Sequence, residues 1–241
     1  MATFVLIHGG WHGGWCWREV VPLIERAGHR AIAPDLPGMG EDRTALAGLS
    51  LAHWARRVAQ IVESAGGDVI LAGHSRGGLV VSQTAELCPR NLRALAYVAA
   101  FLLPDGAAIS PLAAYVDPAQ RLPILAVTPQ CDAVRIDPAA ARERFYNTTP
   151  PALADWALSK LCPEPIFGLV TPAAVTPERF GRYPRSYVEC LRDQTIVLGH
   201  QRAMQAAWPC ARVSRLDCDH SPFLSAPEAL ANALVDSIAR S

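Results

Sequence analysis

Residues 69–81 read Val69-Ile70-Leu71-Ala72-Gly73-His74-Ser75-Arg76-Gly77-Gly78-Leu79-Val80-Val81. An apolar run of strand length enters Gly73-His74-Ser75-Arg76-Gly77, and a second apolar run leaves it as a helix. A strand-to-helix turn this abrupt has no space for a side chain at Gly73 or Gly77. It aims the Ser75 hydroxyl out of the end of a sheet, where a base can reach it. The stretch therefore predicts a buried strand, a serine nucleophile and acyl-transfer chemistry.

Outward from this turn the chain alternates strand and helix. Thr3–Ile7 reads as a buried strand, followed by the glycine-rich His8-Gly9-Gly10-Trp11-His12-Gly13-Gly14-Trp15 loop. Residues 17–27 read as a helix ended by Gly28, and Ala31–Ala33 as a short strand. Leu51, Trp54, Ala55, Val58, Ile61 and Val62 recur at helical spacing behind Ser50, a suitable N-cap. Leu92–Ala99 completes this half. Such alternation predicts an α/β fold with a parallel sheet covered on both faces. From 101 to 184 the rhythm breaks into proline-rich sequence with helical stretches at Pro138–Tyr146 and Pro151–Leu161. This segment reads as an inserted helical cap on a core formed by residues 1–100 and 185–241. The sheet resumes at Ser186–Leu191, and after a helix at 195–207 ends with the strand Ala211–Leu216 and a closing helix at 226–239.

At 241 residues, one core with an insertion is the simplest organisation. Formal net charge is zero, and Lys160 is the only lysine. The chain shows no basic face, so nucleic acid and anionic membrane are not expected partners, and a neutral small molecule is the expected substrate. The seven cysteines (Cys16, Cys88, Cys131, Cys162, Cys190, Cys210 and Cys218) are scattered and lack a Cys-x-x-Cys. Reduced thiols are expected, without a disulfide framework or zinc site. With neither a signal-peptide pattern nor a membrane-length apolar stretch, the expectation is a soluble cytoplasmic protein. A homodimer is compatible with the sequence, and nothing in it demonstrates one.

A serine hydroxyl needs a base, and the base needs an orienting acid. His200 and His220 follow Ser75. His220 stands just past the last strand, at the edge where open α/β sheets carry their sites; His200 falls within a helix and reads as solvated. Asp193, directly after strand 186–191, is placed to reach His220. Its structural alternative is to cap the following helix. Asp217 and Asp219 are competitors that read as shaping the histidine loop, and Asp132 lies in the cap. An oxyanion needs backbone donors, here expected from the N–H groups of Arg76, next to the nucleophile, and Gly10. For the Arg76 side chain, solvation is favoured over pairing with a carboxylate. Trp11, Trp15, Phe101, Trp156, Phe167 and Phe223 are aromatics from which an apolar pocket is expected to be drawn. Gly9, Trp11, Phe101, Trp156 and Phe223 are the candidate lining.

The stretch Phe4–Trp17, with Val21–His29, Val69–Ser75, Ala99–Asp105 and Asp219-His220-Ser221-Pro222-Phe223, resembles the plant methylesterases and the related hydroxynitrile lyases. The resemblance covers residues 3–105 and 185–238, and the cap matches poorly. It implies an α/β-hydrolase fold, no metal or organic cofactor, and Ser75, Asp193 and His220 as the triad. Some bacterial relatives cleave pyrethroid-like or other bulky hydrophobic esters. The lyases carry threonine where Gly9 stands and lysine where Ser221 stands; this chain has neither. A serine esterase acting on small to medium hydrophobic carboxylic esters is therefore expected. The alternatives are a lyase or C–C hydrolase on the same triad, and a small-ligand receptor on a hydrolase scaffold.

Overall fold

The computed structural model describes residues 1–110, 123–130 and 132–237. Cys131, part of the 101–184 segment and the end of the closing helix lie outside these. A six-stranded parallel sheet runs in the order β2-β1-β3-β4-β8-β9. Its strands are β1 (Thr3–Ile7), β2 (Arg30–Ile32), β3 (Val69–His74), β4 (Leu92–Val98), β8 (Arg185–Cys190) and β9 (Arg212–Leu216). Strand order reverses between β1 and β3. Loops leaving those two strands in opposite directions open a crevice at their carboxyl ends, the usual ligand position in such sheets.

Every residue of β1 and β3 is buried, because both faces are covered. Side chains alternate between two cores, as strand geometry requires. Val5, Ile7, Val69 and Leu71 pack with Trp54 and Val58 of α2 (Leu51–Ala65) and Leu79 and Val80 of α3 (Gly77–Glu86). Phe4, Leu6, Ile70 and Ala72 face the other way, onto Ile24 of α1 (Val21–Arg26) and Leu230 and Leu234 of the helix Pro227–Asp236. Helix α2 starts where its N-cap predicts, with Ser50 Oγ accepting the His53 N–H at 3.4 Å.

Between β4 and β8 the segment expected as a helical cap carries more than helices. The two expected helices are present as Pro138–Phe145 and Pro151–Lys160, the first capped by Asp137. The same segment also carries a three-stranded antiparallel sheet, β5 (Leu125–Val127), β6 (Ala133–Ile136) and β7 (Glu164–Pro165). These strands are two to four residues long, too short to produce a readable alternation. The helix expected over 17–27 is likewise split into a 3-10 turn, Gly14–Trp17, and α1. Among the described residues no helix is long and apolar enough to cross a membrane.

Three buried histidines brace the carboxyl edge of the sheet, and their partners assign each tautomer. His8 Nε2 accepts the Leu36 N–H, so Nδ1 carries the proton and donates to the Gly9 carbonyl at 2.9 Å. His12 Nδ1 donates to the Gly10 carbonyl at 2.6 Å, and its Nε2 accepts the Tyr146 hydroxyl at 2.8 Å. His74 Nε2 donates to the His220 carbonyl at 2.7 Å. Phe223 closes the base of this layer, edge-on to the His74 ring at 4.9 Å.

Burial holds all three imidazoles neutral, with the His12 pKa pushed down to about 4 and those of His8 and His74 well below the usual histidine range. The unfolded chain therefore binds more protons than the folded one below about pH 6.5. Stability is expected to be complete above that pH and to fall as pH drops toward 5.5. The slope should approach about 1.4 kcal/mol per pH unit for each histidine that is protonated in the unfolded chain and neutral in the folded one. Denaturant unfolding between pH 7.5 and 5.5 measures the slope, and His12→Gln should make it shallower. A pH-independent midpoint over this range would contradict the assignment.

Candidate active site

Ser75 sits between β3 and α3 with φ of 51°, a left-handed backbone that a serine adopts only under constraint. Its amide donates to the Val98 carbonyl and its own carbonyl accepts from Phe101, so the turn is anchored on β4. A Cβ at Gly73 would lie 2.6 Å from the Gly77 carbonyl oxygen, and one at Gly77 would lie 2.7 Å from the His8 carbonyl oxygen. Both glycines are thus required by the close approach of backbone to backbone. The turn presses the start of α3 against the end of β1, which brings Ser75 beside the glycine-rich loop. Gly9 is part of that contact: a Cβ there would be 2.9 Å from Ser75 Cβ and 2.7 Å from His74 Nδ1.

Asp193 and His220 come from the ends of β8 and β9. His220 Nδ1 donates to Asp193 Oδ2 at 2.7 Å, with both side chains buried. Because a carboxylate only accepts, Nδ1 carries the proton and Nε2 is left as an acceptor. The other carboxylate oxygen, Oδ1, accepts the N–H groups of Thr195 and Ile196 at 2.7 and 2.8 Å. One Asp193 oxygen thus holds the turn ahead of the helix Leu198–Ala207, whose N-cap is Val197, and the other meets His220. His74, the residue before Ser75, holds the His220 carbonyl, so one hydrogen bond ties the Ser75 turn to the His220 loop. Among the described residues no hydrogen bond joins Ser75 Oγ to His220; such contacts often tighten only around a substrate.

The competing residues have other partners. Asp219 accepts from Ser221 N–H, Ser225 Oγ, Thr148 N–H and Thr149 Oγ1, which shapes the histidine loop and ties residues 148–149 to it. Asp217 pairs with Arg192 at the surface, Asp132 accepts from Thr128, and His200 is exposed.

The Arg76 side chain overturns the expectation of solvation. It is 1% exposed, its Nε donates to Glu164 Oε1 at 2.8 Å, and its guanidinium lies 4.4 Å from the centre of the Trp54 ring. Glu164 is wholly buried, and burial raises its carboxyl above the usual range against the pull of Arg76. Glu164 and Gln201 are the site residues that escape sequence reasoning. Glu164 is a lone charge between Pro163 and Pro165. Gln201, inside the helix Leu198–Ala207, braces the Asp193 turn by donating to the Ile196 carbonyl at 2.7 Å and pairing with the Cys190 backbone.

Two of the expected pocket residues are packing elements. Trp156 stands edge-on to Trp15 with Arg18 over its ring, and Trp15 and His12 separate it from His74. Phe223 is buried beneath the His74 ring. Trp15 stacks on His12 and Phe167 packs on Trp54. Trp11 and Phe101 do border open space. Trp11 lines a cavity of about 470 Å³ with Leu125, Ile136 and Leu161, and Phe101 lines one of about 240 Å³ with Leu103, Ile196 and Met204. Neither cavity is lined by Ser75 or His220.

A family model described as the alpha/beta hydrolase family matches residues 4–233. Methylesterase 7 of Arabidopsis thaliana is 32% identical over an alignment spanning 97% of this chain and 95% of its own. The pyrethroid hydrolase of Sphingobium wenxiniae is 33% identical over 98% of this chain and 87% of its own. The crystal structure of a pyrethroid hydrolase from Sphingobium faniae matches with a TM-score of 0.82 at 30% identity, over 99% of this chain and 98% of that one. A match that runs from the first strand into the last described helix, on a sheet of this order, makes the chain a member of the α/β-hydrolase family.

Proposed function

We propose that the protein is a cofactor-free serine hydrolase of carboxylic esters of small to medium hydrophobic substrates. The observation that carries this reading is the Asp193–His220 hydrogen bond, which leaves Nε2 unprotonated at a loop tied to Ser75 through His74. His220 takes the Ser75 proton as Oγ attacks the ester carbonyl, and the new tetrahedral oxyanion accepts the N–H groups of Gly10 and Arg76. Among the described residues neither N–H donates to a protein acceptor. His220 then delivers its proton to the departing alkoxide as the acyl–enzyme forms. Water, deprotonated by the same nitrogen, attacks the acyl carbon, and collapse returns the proton to Ser75 and frees the acid. Asp193 keeps the imidazole in one tautomer and stabilises its cationic form.

The names of the relatives, a methylesterase and a pyrethroid hydrolase, support ester cleavage as the reaction class. A lyase of the related type is disfavoured because glycine stands at position 9 and serine at position 221, where those lyases carry threonine and lysine. Its threonine at position 9 would place Cβ within 2.9 Å of Ser75 Cβ and 2.7 Å of His74 Nδ1, so the elbow would have to shift. Phe101, half-buried and lining an apolar cavity with Leu103, Ile196 and Met204, is the aromatic proposed to meet an apolar substrate.

Steady-state hydrolysis of a panel of p-nitrophenyl and methyl esters tests the reading. Turnover is expected from the wild type and should fall by about 10⁶-fold in Ser75→Ala, to the level left by binding and the oxyanion donors. Folded wild-type protein that turns over no ester, yet binds a hydrophobic ligand tightly, would move the assignment to a receptor.

Asp193→Asn separates orientation from binding. The amide presents the wrong group to Nδ1, so kcat should drop about 10³–10⁴-fold with KM nearly unchanged. A loss confined to KM would remove Asp193 from the proposed role.

A further inference from the structure

Four carbonyl or amide groups of the loop after β1 are held by other side chains or backbone. The Gly9 carbonyl accepts from His8 Nδ1 at 2.9 Å and from Arg76 Nη2 at 3.0 Å. The Gly10 carbonyl accepts from His12 Nδ1. Trp11 N–H donates to Glu164 Oε2 at 3.0 Å, and the Trp11 carbonyl accepts the Cys162 N–H at 2.9 Å. Among the described residues the Gly10 N–H donates to no protein acceptor.

The Gly9 carbonyl and the Gly10 N–H belong to one peptide unit. In a planar trans peptide the two point in opposite directions. A cation that fixes the carbonyl therefore fixes the direction of the N–H. It also polarises the unit, since a charge-assisted hydrogen bond at oxygen makes the nitrogen a stronger donor. The guanidinium that does this belongs to the residue whose own backbone N–H is the other oxyanion donor. Glu164 and Trp54 hold that guanidinium from two further sides.

We propose that the buried Arg76–Glu164 pair is a positioning device for the oxyanion hole, in which the Arg76 side chain aims the Gly10 N–H by clasping the Gly9 carbonyl. The inference rests on the ester-hydrolase reading and adds to it a role for two side chains that touch no substrate atom. A buried ion pair is a poor source of net stability, because desolvating two charges offsets their attraction. Its retention is better explained by the geometry it imposes on the loop. Lysine is not equivalent here, since one ammonium replaces the separate Nε and Nη2 donors that reach Glu164 and Gly9.

The test compares wild type, Ser75→Ala, the double variant Arg76→Met with Glu164→Gln, and Arg76→Lys. The double variant removes both charges together, so no unpaired ion is left buried, and glutamine can still accept the Trp11 N–H. Arg76→Lys keeps the charge beside Glu164 and serves if the double variant does not fold. Each folded variant is measured for kcat and KM on p-nitrophenyl esters and for affinity toward a trifluoromethyl ketone, whose hemiketal oxyanion needs the same donors. The expected result is a kcat lowered about 10–100-fold in the double variant and about 3–10-fold in Arg76→Lys, with KM within about threefold. Ketone affinity should fall in proportion to kcat/KM. Retention of wild-type kcat and ketone affinity by a folded variant would overturn the clasp, as would a loss seen in KM alone. Failure of the ester reading shows separately, as a wild type that is no more active than Ser75→Ala, and would overturn both.

Discussion

The left-handed backbone of Ser75 is the constraint on which the remaining arrangement depends. A serine holds φ near 51° only where its surroundings leave no alternative. Here those surroundings are two glycines at which backbones touch. Gly77 lies against the end of β1 and Gly73 against the first turn of α3, so the strand, the helix and the neighbouring strand must meet at one point. The loop after β1 is thereby brought over the nucleophile, and the β1/β3 reversal of strand order opens the crevice at the same place.

Around this point the protein buries His8, His12, His74, Arg76, Glu164, Asp193 and His220, each with at least one hydrogen-bond partner. His8, His12 and His74 are neutral, each with a single proton directed at a backbone carbonyl. Asp193 gives one oxygen to its own turn and the other to His220. Arg76 and Glu164 join the elbow, the loop after β1 and β7 of the intervening segment. In a low-dielectric interior such bonds are strong when complete and costly when broken, so the network fixes directions more than it adds stability. Directed hydrogen bonds are what a reaction with one developing negative charge requires.

Ser75, His220 and the parallel sheet are legible in the sequence because each follows from a local rule. The elbow is a contiguous pattern, buried strands are short apolar runs, and His220 lies immediately beyond the last of them. Asp193 is legible from its position after β8, although no sequence pattern marks the division of its two oxygens between its own turn and His220. The partner of Arg76 is hidden because it lies 88 residues away on a two-residue strand, between Pro163 and Pro165. No periodicity marks such a contact. Gln201 was hidden for the opposite reason: it sits in a regular helix whose pattern gives no sign that one polar residue turns inward. Trp156 and Phe223 show the same limit for aromatics, since a large apolar ring reads alike whether it lines a crevice or supports its floor.

The central claim is that Ser75 is an activated nucleophile, and covalent trapping addresses it most directly. The protein would be treated with a fluorophosphonate, which forms a stable bond only to an activated hydroxyl, and analysed by intact-mass and peptide-mapping mass spectrometry. The account predicts a single adduct on the peptide that contains Ser75, absent from protein lacking that hydroxyl. No adduct on folded protein, or one on another residue such as Ser221, would contradict it.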